Sequence, residues 1–206
     1  MSLQLQFDRG ITDKTNLKLQ LGCGANLLPG WVNTDIQPHP SADYLDFLRP
    51  LPFAANIFAA VFCEHTIEHI DKPGAVGMIA EVFRILRPGG LFRVVTPSLE
   101  NFSRIALDPG GETTIKYLEF FRRYSGNPQA TVSDAVNAIF YEHGHRHIYA
   151  EAELRDMLLN AGFAHVAIMP AGKYSDPIFN GVDGHSRVIG EEMNAIEGMA
   201  LEATKS

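Results

Sequence analysis

The first half of the chain alternates between short apolar segments and turns, and the apolar positions recur with the spacing of strands. Leu17, Leu19 and Leu21 alternate with polar residues up to Gly22, which predicts a strand that ends at this glycine. Four further strands are predicted at residues 31–36, 42–47, 59–63 and 91–97. The second of these five strands ends on Asp35 and Ile36, so a carboxylate stands at its end.

A helix is predicted between the fourth and fifth strands, from Pro73 to Leu86. Apolar residues recur at i, i+3, i+4 and i+7, namely Ile79, Val82, Phe83 and Leu86. Asp71 precedes this pattern as a candidate cap, and the sequence Pro-Gly-Gly at 88–90 ends it. Alternating strands and helices are typical of a doubly wound parallel sheet.

The second half of the chain has a more helical pattern. Helices are predicted at 115–124 and 133–142, within an insertion at about 99–145 that covers the site. A helix at 150–161, a strand at 163–169, a loop at 172–190 and a final strand within 193–204 complete the expected order. Residues 1–16 are polar and predict a loose lead-in.

The carboxyl ends of the predicted strands collect the residues able to bind a ligand. In an open parallel sheet, ligands bind at this edge. The residues gathered there are Gly22, Cys23, Gly24, Asp35, Asp46, residues 63–69 and Thr96.

The turn after the first strand indicates which ligand would bind there. Gly22 and Gly24 flank Cys23, and a backbone that turns sharply or lets a ligand approach needs glycine. Asp35 lies eleven positions beyond Gly24, where it could accept hydrogen bonds from a ribose. The connection between them is short, and Leu27 replaces the third glycine of a dinucleotide motif. A ribose without phosphates fits better, and S-adenosylmethionine is such a cofactor.

Taken together, the segments resemble the class I S-adenosylmethionine-dependent methyltransferases, of the type called methyltransferase type 11. The resemblance spans about residues 17–170 and rests on LQLGCG, NTDI, YLDFLRPLPF, VFCEHTIEHI, EVFRILRPGGLFRVVTP and HRHIYAEAELRDMLLNAGF. It implies a single domain over 1–206 with a Rossmann-like, doubly wound, mostly parallel seven-stranded sheet. The last strand would be antiparallel and lie between strands five and six, and a helical insertion would follow strand five.

The resemblance also implies which residues bind the cofactor. Asp35 would hold the ribose hydroxyls, Asp46 the adenine amino group, and the backbone of 22–24 would let the methionine part approach. Gln20 stands where many relatives carry an acid, and it can still hydrogen-bond the methionine amino group. The full predicted set is Gln20, Gly22, Cys23, Gly24, Asp35, Ile36, Asp46, Phe47, Cys63, Glu64 and His65.

Histidines supply the candidates for acid–base chemistry. His143, His145 and His147 alternate, so an extended segment would project all three on one side. His145 and His147 are the candidate catalytic residues, and His65 is preferred over His69 as a site residue. Three imidazoles on one side could alternatively bind zinc. No carboxylate is spaced in the sequence to complete that set, so no metal is predicted.

Composition limits the classes of partner that this protein is expected to bind. The net charge of −7 over 206 residues argues against a nucleic-acid partner, and no apolar run is long enough to span a membrane. The two cysteines are far apart in the sequence and form neither a metal-binding pair nor a disulfide framework, so a reducing cytoplasm is expected. The expected partner is a small-molecule or lipid- or glycan-linked methyl acceptor, and a homodimer is possible. Two alternatives stay open: a non-catalytic nucleoside-binding or interaction module that keeps this fold, and a zinc-dependent hydrolase.

Overall fold

Residues 16–206 are described by the computed structural model, so nearly all of the predicted N-terminal lead-in lies outside the described residues. They form one seven-stranded sheet in the order β3-β2-β1-β4-β5-β7-β6. The strands are β1 (Lys18–Leu21), β2 (Val32–Asp35), β3 (Asp43–Tyr44), β4 (Phe58–Glu64), β5 (Leu86–Pro97), β6 (Phe163–Pro170) and β7 (Gly198–Lys205). The first five strands run parallel, and β7 is antiparallel to both of its neighbours. The predicted fold class, including the place of the last strand, is confirmed.

Seven α-helices connect and flank these strands in the described part of the chain. They are α1 (Lys72–Ile85), α2 (Leu99–Leu107), α3 (Glu112–Ser125), α4 (Val132–Tyr141), α5 (Glu151–Asn160), α6 (Ser186–Ile189) and α7 (Glu191–Glu197). Short 3₁₀ helices lie at Ile67–His69 and Pro177–Phe179.

Helix α1 forms where the sequence predicts it, because both its start signal and its apolar stripe are present. The Asp71 side chain accepts a hydrogen bond from the Gly74 backbone N–H, which satisfies one of the donors that a helix start leaves unpaired. Ile79 and Val82 are fully buried in the main core, packed with β4 and β5.

The two faces of the sheet bury different clusters. Along β4, Val61 and Cys63 belong to the core under α1 and α5, whereas Phe62 packs with Trp31 and Phe179. Successive side chains of a strand point to opposite faces, so the second cluster covers the other face of the sheet.

A third apolar cluster lies beyond the carboxyl ends of the strands. It is built by α2, α3, α4, α6 and α7, with Phe102, Ile105, Tyr117, Ala135, Ile139, Ile189 and Met193 buried in it. We call these five helices the cap. Two of them, α3 and α4, match the helices predicted for the insertion.

Three details differ from the sequence prediction. The third strand is a two-residue edge strand, Asp43–Tyr44, and not 42–47. Helix α2 is not predicted because it is only nine residues long. Its start is nevertheless capped, since the Ser98 side chain accepts a hydrogen bond from the Asn101 N–H. Residues 193–197 belong to α7, since Met193 and Ile196 pack on the cap cluster and the last strand starts only at Gly198.

Candidate active site

The end of β1 makes a tight turn that only glycine can form. Gly22 has φ +67°, and a Cβ placed there would overlap the side chain of Thr66. Gly24 also has positive φ (+47°) but faces open space. The turn therefore exposes main chain where β1 ends, beside the residues that follow β4.

Asp35 closes this turn from the end of β2. Its Oδ2 accepts a hydrogen bond from the Gly24 N–H at 2.8 Å, and its Oδ1 accepts one from the Gln37 N–H at 2.8 Å. Each carboxylate oxygen has a second lone pair, so both oxygens retain acceptor capacity for ligand hydroxyls.

A cavity of about 490 Å³ opens beside this carboxylate, and we call it the cofactor cavity. Its lining residues are Gly22, Asp35, Ile36, Gln37, Phe47, Leu48, His65, Thr66, His69, Ile70, Asp71 and Arg146. Ile36 and Leu48 are large apolar side chains that remain 42% and 55% exposed at the cavity wall. Exposed apolar walls around a carboxylate suit a flat heterocycle joined to a sugar.

The other predicted cofactor residues lie around this cavity without lining it. Asp46 lines a separate pocket, and its carboxylate accepts hydrogen bonds from the Leu48 N–H and the Arg49 Nε–H. The Glu64 carboxylate accepts hydrogen bonds from the N–H groups of Gly184 and His185, and burial raises its pKa. It therefore holds the loop after β6 against the end of β4.

Three more of the predicted cofactor-binding residues, Cys23, Cys63 and Gln20, are buried. Burial raises the pKa of the Cys23 thiol to about 11 and raises the pKa of Cys63 further still, so both are neutral thiols. Gln20 is 1% exposed, and its Oε1 has no hydrogen-bond partner among the described residues. A buried acceptor without a partner costs free energy, so a ligand donor such as an ammonium group that reached this oxygen would be stabilised there.

A second cavity, of about 210 Å³, lies between the sheet edge and the cap, and we call it the cap cavity. Its aromatic wall comes from one helix, α3, through Tyr117, Phe120, Phe121 and Tyr124. The opposite side carries imidazoles, from His65, His69, His143, His145 and His185. Glu197 contributes a carboxylate that accepts a hydrogen bond from the Tyr117 hydroxyl at 2.8 Å.

The two cavities share His65 and His69, which stand at their border. His65 has φ +45°, a rare conformation for a non-glycine residue that is often found at functional sites. Its Nδ1 lies 3.0 Å from Glu68 Oε1, and the Glu68 Oε2 accepts a hydrogen bond from the Thr96 hydroxyl at 3.0 Å. Thr96 therefore affects the site through its hydrogen bond to Glu68.

The contact with Glu68 also affects the pKa of His65. Burial alone would lower the pKa of the His65 imidazole, but the hydrogen bond and negative charge of Glu68 more than offset it, so the pKa is raised. His65 Nε2 is buried and has no partner within the described residues, and the ring packs against His185 at 4.0 Å between centroids.

The expectation that three alternating histidines share one side is wrong. His143 (φ +59°) and Gly144 (φ +78°) are left-handed, so the segment turns and is not extended. His147 lines neither cavity and pairs with Glu153, Nε2 to Oε2 at 3.0 Å. His145 lines the cap cavity, where its Nδ1–H donates to the Ile139 carbonyl at 2.6 Å. Burial lowers the pKa of His145.

Sequence reasoning also missed residues that the fold brings to the site. Tyr117, His185 and Glu197 come from three separate parts of the chain, and none belongs to a recognisable pattern. No carboxylate is spaced in the sequence to complete the histidine set, but the fold brings one to His145 from elsewhere in the chain. Glu68 lies beside His69 and His145 because the 3₁₀ turn packs under the segment that follows α4.

These features fit S-adenosylmethionine. The cofactor cavity pairs apolar walls with a carboxylate beside a glycine turn, and its volume is in the range of small-molecule sites. This fold and a cavity of this kind are typical of class I S-adenosylmethionine-dependent methyltransferases.

Comparison with known proteins agrees with this class. Residues 33–94 match the family model described as "Methyltransferase domain". No curated protein matches the chain. The matched segment and the shared fold support a class I S-adenosylmethionine-dependent methyltransferase, with S-adenosylmethionine as the cofactor.

Solved structures share the fold at low sequence identity. A methyltransferase from Thermotoga maritima, described as a possible histamine N-methyltransferase, is 18% identical and has a TM-score of 0.54. The similarity covers 92% of this chain and 82% of that one. A methyltransferase from Archaeoglobus fulgidus is 15% identical with a TM-score of 0.54, covering 93% of this chain and 87% of that one. None of the helices in residues 16–206 is long and apolar enough to cross a membrane.

Proposed function

We propose that this methyltransferase acts on a small-molecule acceptor that binds in the cap cavity. The observation that carries the proposal is the common border of the two cavities at His65 and His69. A ligand in the cofactor cavity and an acceptor under the cap would both contact these two residues. A volume of about 210 Å³ suits a small molecule or one end of a larger one.

The chain has few chemical tasks in this reaction. The cofactor supplies an already activated methyl group on a sulfonium, so the protein chiefly aligns an acceptor with it and excludes water. Asp35 would hold the ribose, while Ile36 and Phe47 would flank the base. Gln20 Oε1 would accept a hydrogen bond from the methionine ammonium group.

Two histidines are placed to contact the acceptor. His65 Nε2 has no hydrogen-bond partner within residues 16–206 and lies at the border of the cavities, and His145 lines the cap cavity. We assign both as acceptor-contacting residues. His147, paired with Glu153 outside both cavities, would act on the fold of this segment and not on the acceptor.

The acceptor site can be tested by filling it. Ala138 lies on α4 and lines the cap cavity, whereas Asn137 is exposed on the same helix. Ala138→Phe should abolish turnover against a panel of amines, phenols and carboxylates while leaving calorimetric affinity for S-adenosylhomocysteine unchanged. Asn137→Phe should retain both. Full turnover in Ala138→Phe would place the acceptor elsewhere, and no turnover of the wild type on any acceptor would favour the non-catalytic alternative.

Two variants test the proposed cofactor contacts of Asp35 and Asp46 independently. Asp35→Ala should lose measurable affinity for S-adenosylhomocysteine, because Asp35 lines the cofactor cavity. Asp46→Ala tests the predicted adenine contact: loss of affinity would support it, and retained affinity would show that Asp46 only shapes the loop around Leu48 and Arg49.

Localisation and assembly belong to the same proposal. Cys23 and Cys63 are both free, buried thiols, which agrees with a reducing cytoplasm. The possible homodimer stays a prediction.

A further inference from the structure

We propose that Glu68, His69 and His145 form a binding site for a divalent transition-metal ion of the Zn²⁺ type, at the border of the two cavities. This inference goes beyond methyl transfer and does not depend on it. Two imidazoles and one carboxylate are a common donor set for zinc.

The geometry of the three side chains carries the proposal. Each offers one ligand atom, and these atoms all lie within 4.8 Å of one another. Ligand atoms around a tetrahedral Zn²⁺ at about 2.1 Å are about 3.4 Å apart, so small side-chain rotations would close the group on an ion. The rings of His69 and His145 already face each other edge to face, 4.9 Å between centroids.

His145 is held in the tautomer that metal binding requires. The Ile139 carbonyl oxygen can only accept a hydrogen bond, so the Nδ1 of His145, 2.6 Å away, carries the proton. Its Nε2 therefore has a free lone pair. Metal-binding histidines commonly donate their other ring N–H to a carbonyl or carboxylate in this way.

Glu68 is oriented equally firmly. The carboxylate is fully buried, with one oxygen beside His65 Nδ1 and the other accepting from the Thr96 hydroxyl. Two of its four lone-pair positions are used, and the others remain for an ion.

The backbone locks the two halves of the site together. The N–H groups of Arg146 and His147 both donate to the Glu68 carbonyl, at 2.7 and 3.2 Å. These bonds fix the segment that carries His145 against the 3₁₀ turn that carries Glu68 and His69. A preformed site of this kind loses little conformational freedom when an ion binds.

A purely structural role explains only part of this arrangement. Glu68 could serve solely to hold His65 and Thr96, and that role needs neither His69 nor His145. The His69 side chain makes no hydrogen bond within residues 16–206, although it lies beside a buried carboxylate. Because both histidines line the cap cavity, the open positions of the ion would face the acceptor and could bind its oxygen or nitrogen.

The experiment is a metal titration of the full-length protein after chelator treatment. Zn²⁺ binding is measured by calorimetry, and Co²⁺ serves as a spectroscopic probe, because its visible absorption reports the coordination geometry. The wild type should bind one ion per chain. Glu68→Gln, His69→Ala and His145→Ala should each weaken binding at least tenfold, with folding checked by circular dichroism.

His143→Ala is the matched control, since His143 lines the same cavity but is not one of the three ligands. It should bind the ion like the wild type. The proposal is overturned if the wild type binds no ion, or if His143→Ala loses the ion while His69→Ala and His145→Ala keep it. These binding measurements need no S-adenosylmethionine, so their outcome is separate from that of the proposed function.

Discussion

Arg93 and Asp183 form a fully buried, two-pronged ion pair. The Nε and Nη2 groups of Arg93, in β5, donate to the two carboxylate oxygens of Asp183 at 2.9 and 2.5 Å. The remaining Nη1 donates to Glu202 of β7 at 2.7 Å. Asp183 lies next to Gly184 and His185, whose backbone binds Glu64, so this pair anchors the loop that brings His185 to the cap cavity.

We expect Arg93→Met to lower the free energy of unfolding by about 3–5 kcal/mol, because removing one partner leaves buried carboxylates without their counter-charge. Urea denaturation measures this loss. Arg104→Met is the control, since Arg104 lies on the exposed face of α2 and should change stability by less than about 0.5 kcal/mol. Equal stability of Arg93→Met and the wild type would mean that the ion pair does not anchor the loop.

The glycine turn depends on two properties, the lack of space for a side chain at Gly22 and the positive φ of both glycines. Gly22→Ala places a methyl group against Thr66 and strains a positive φ, whereas Gly24→Ala adds only the strain of φ +47°, about 1–2 kcal/mol. Gly22→Ala should therefore lose more than tenfold in affinity for S-adenosylhomocysteine, and Gly24→Ala should lose less. Calorimetry gives both values. A larger loss in Gly24→Ala would indicate that ligand approach at Gly24, and not the contact with Thr66, limits the site.

Lys205 links the last strand to the end of α1. Its ammonium group donates to the carbonyl oxygens of Phe83 and Leu86 at 2.6 and 2.7 Å and to Asn56 Oδ1 at 2.8 Å. Helix ends leave carbonyls unpaired and carry partial negative charge, so a cation there is stabilising.

Lys205→Met should lower the free energy of unfolding by about 1–3 kcal/mol, since buried carbonyl oxygens lose their donor. Thermal unfolding with calorimetric enthalpy measures the change. Lys173→Met, at an exposed position in the loop after β6, serves as the control and should be near neutral. If both variants melt alike, the ammonium group does not stabilise the end of α1.

Local signals account for what the sequence could predict. The alternation up to Gly22, the Asp71 cap and the apolar stripe of α1 act over a few residues, and all three are present in the structure. The cofactor cavity follows from them, because parallel strands bring Gly22 and Asp35 to one edge. The cap cavity does not follow, since it depends on packing between distant elements.

The histidine segment shows where local reasoning ends. Alternation predicts a common side only for an extended backbone, and the positive φ angles of His143 and Gly144 break that condition. The carboxylate that completes the group, Glu68, is 77 positions before His145, a separation that no spacing rule addresses. Only the fold shows that these residues are neighbours.

Glu81 should contribute a pH-dependent part of the stability. Its carboxylate accepts hydrogen bonds from Arg84 Nε and Nη2, both at 2.8 Å, and from the Leu51 N–H at 2.7 Å. The hydrogen bond from Arg84 is the main cause of a lowered pKa, opposed by partial burial and supported by the Leu51 N–H.

A lowered folded-state pKa means that the unfolded chain binds a proton more readily than the folded protein. The stabilisation is therefore complete above the ordinary glutamate pKa of about 4.3 and is lost as the pH falls through the lower folded-state value. Glu81→Gln should be less stable than the wild type at neutral pH, and the two urea midpoints should converge as the pH falls below that range. Glu119→Gln, at an exposed position on α3, should follow the wild type at every pH. A gap between Glu81→Gln and the wild type that stays constant with pH would show that the carboxylate charge is not what Arg84 and Leu51 stabilise.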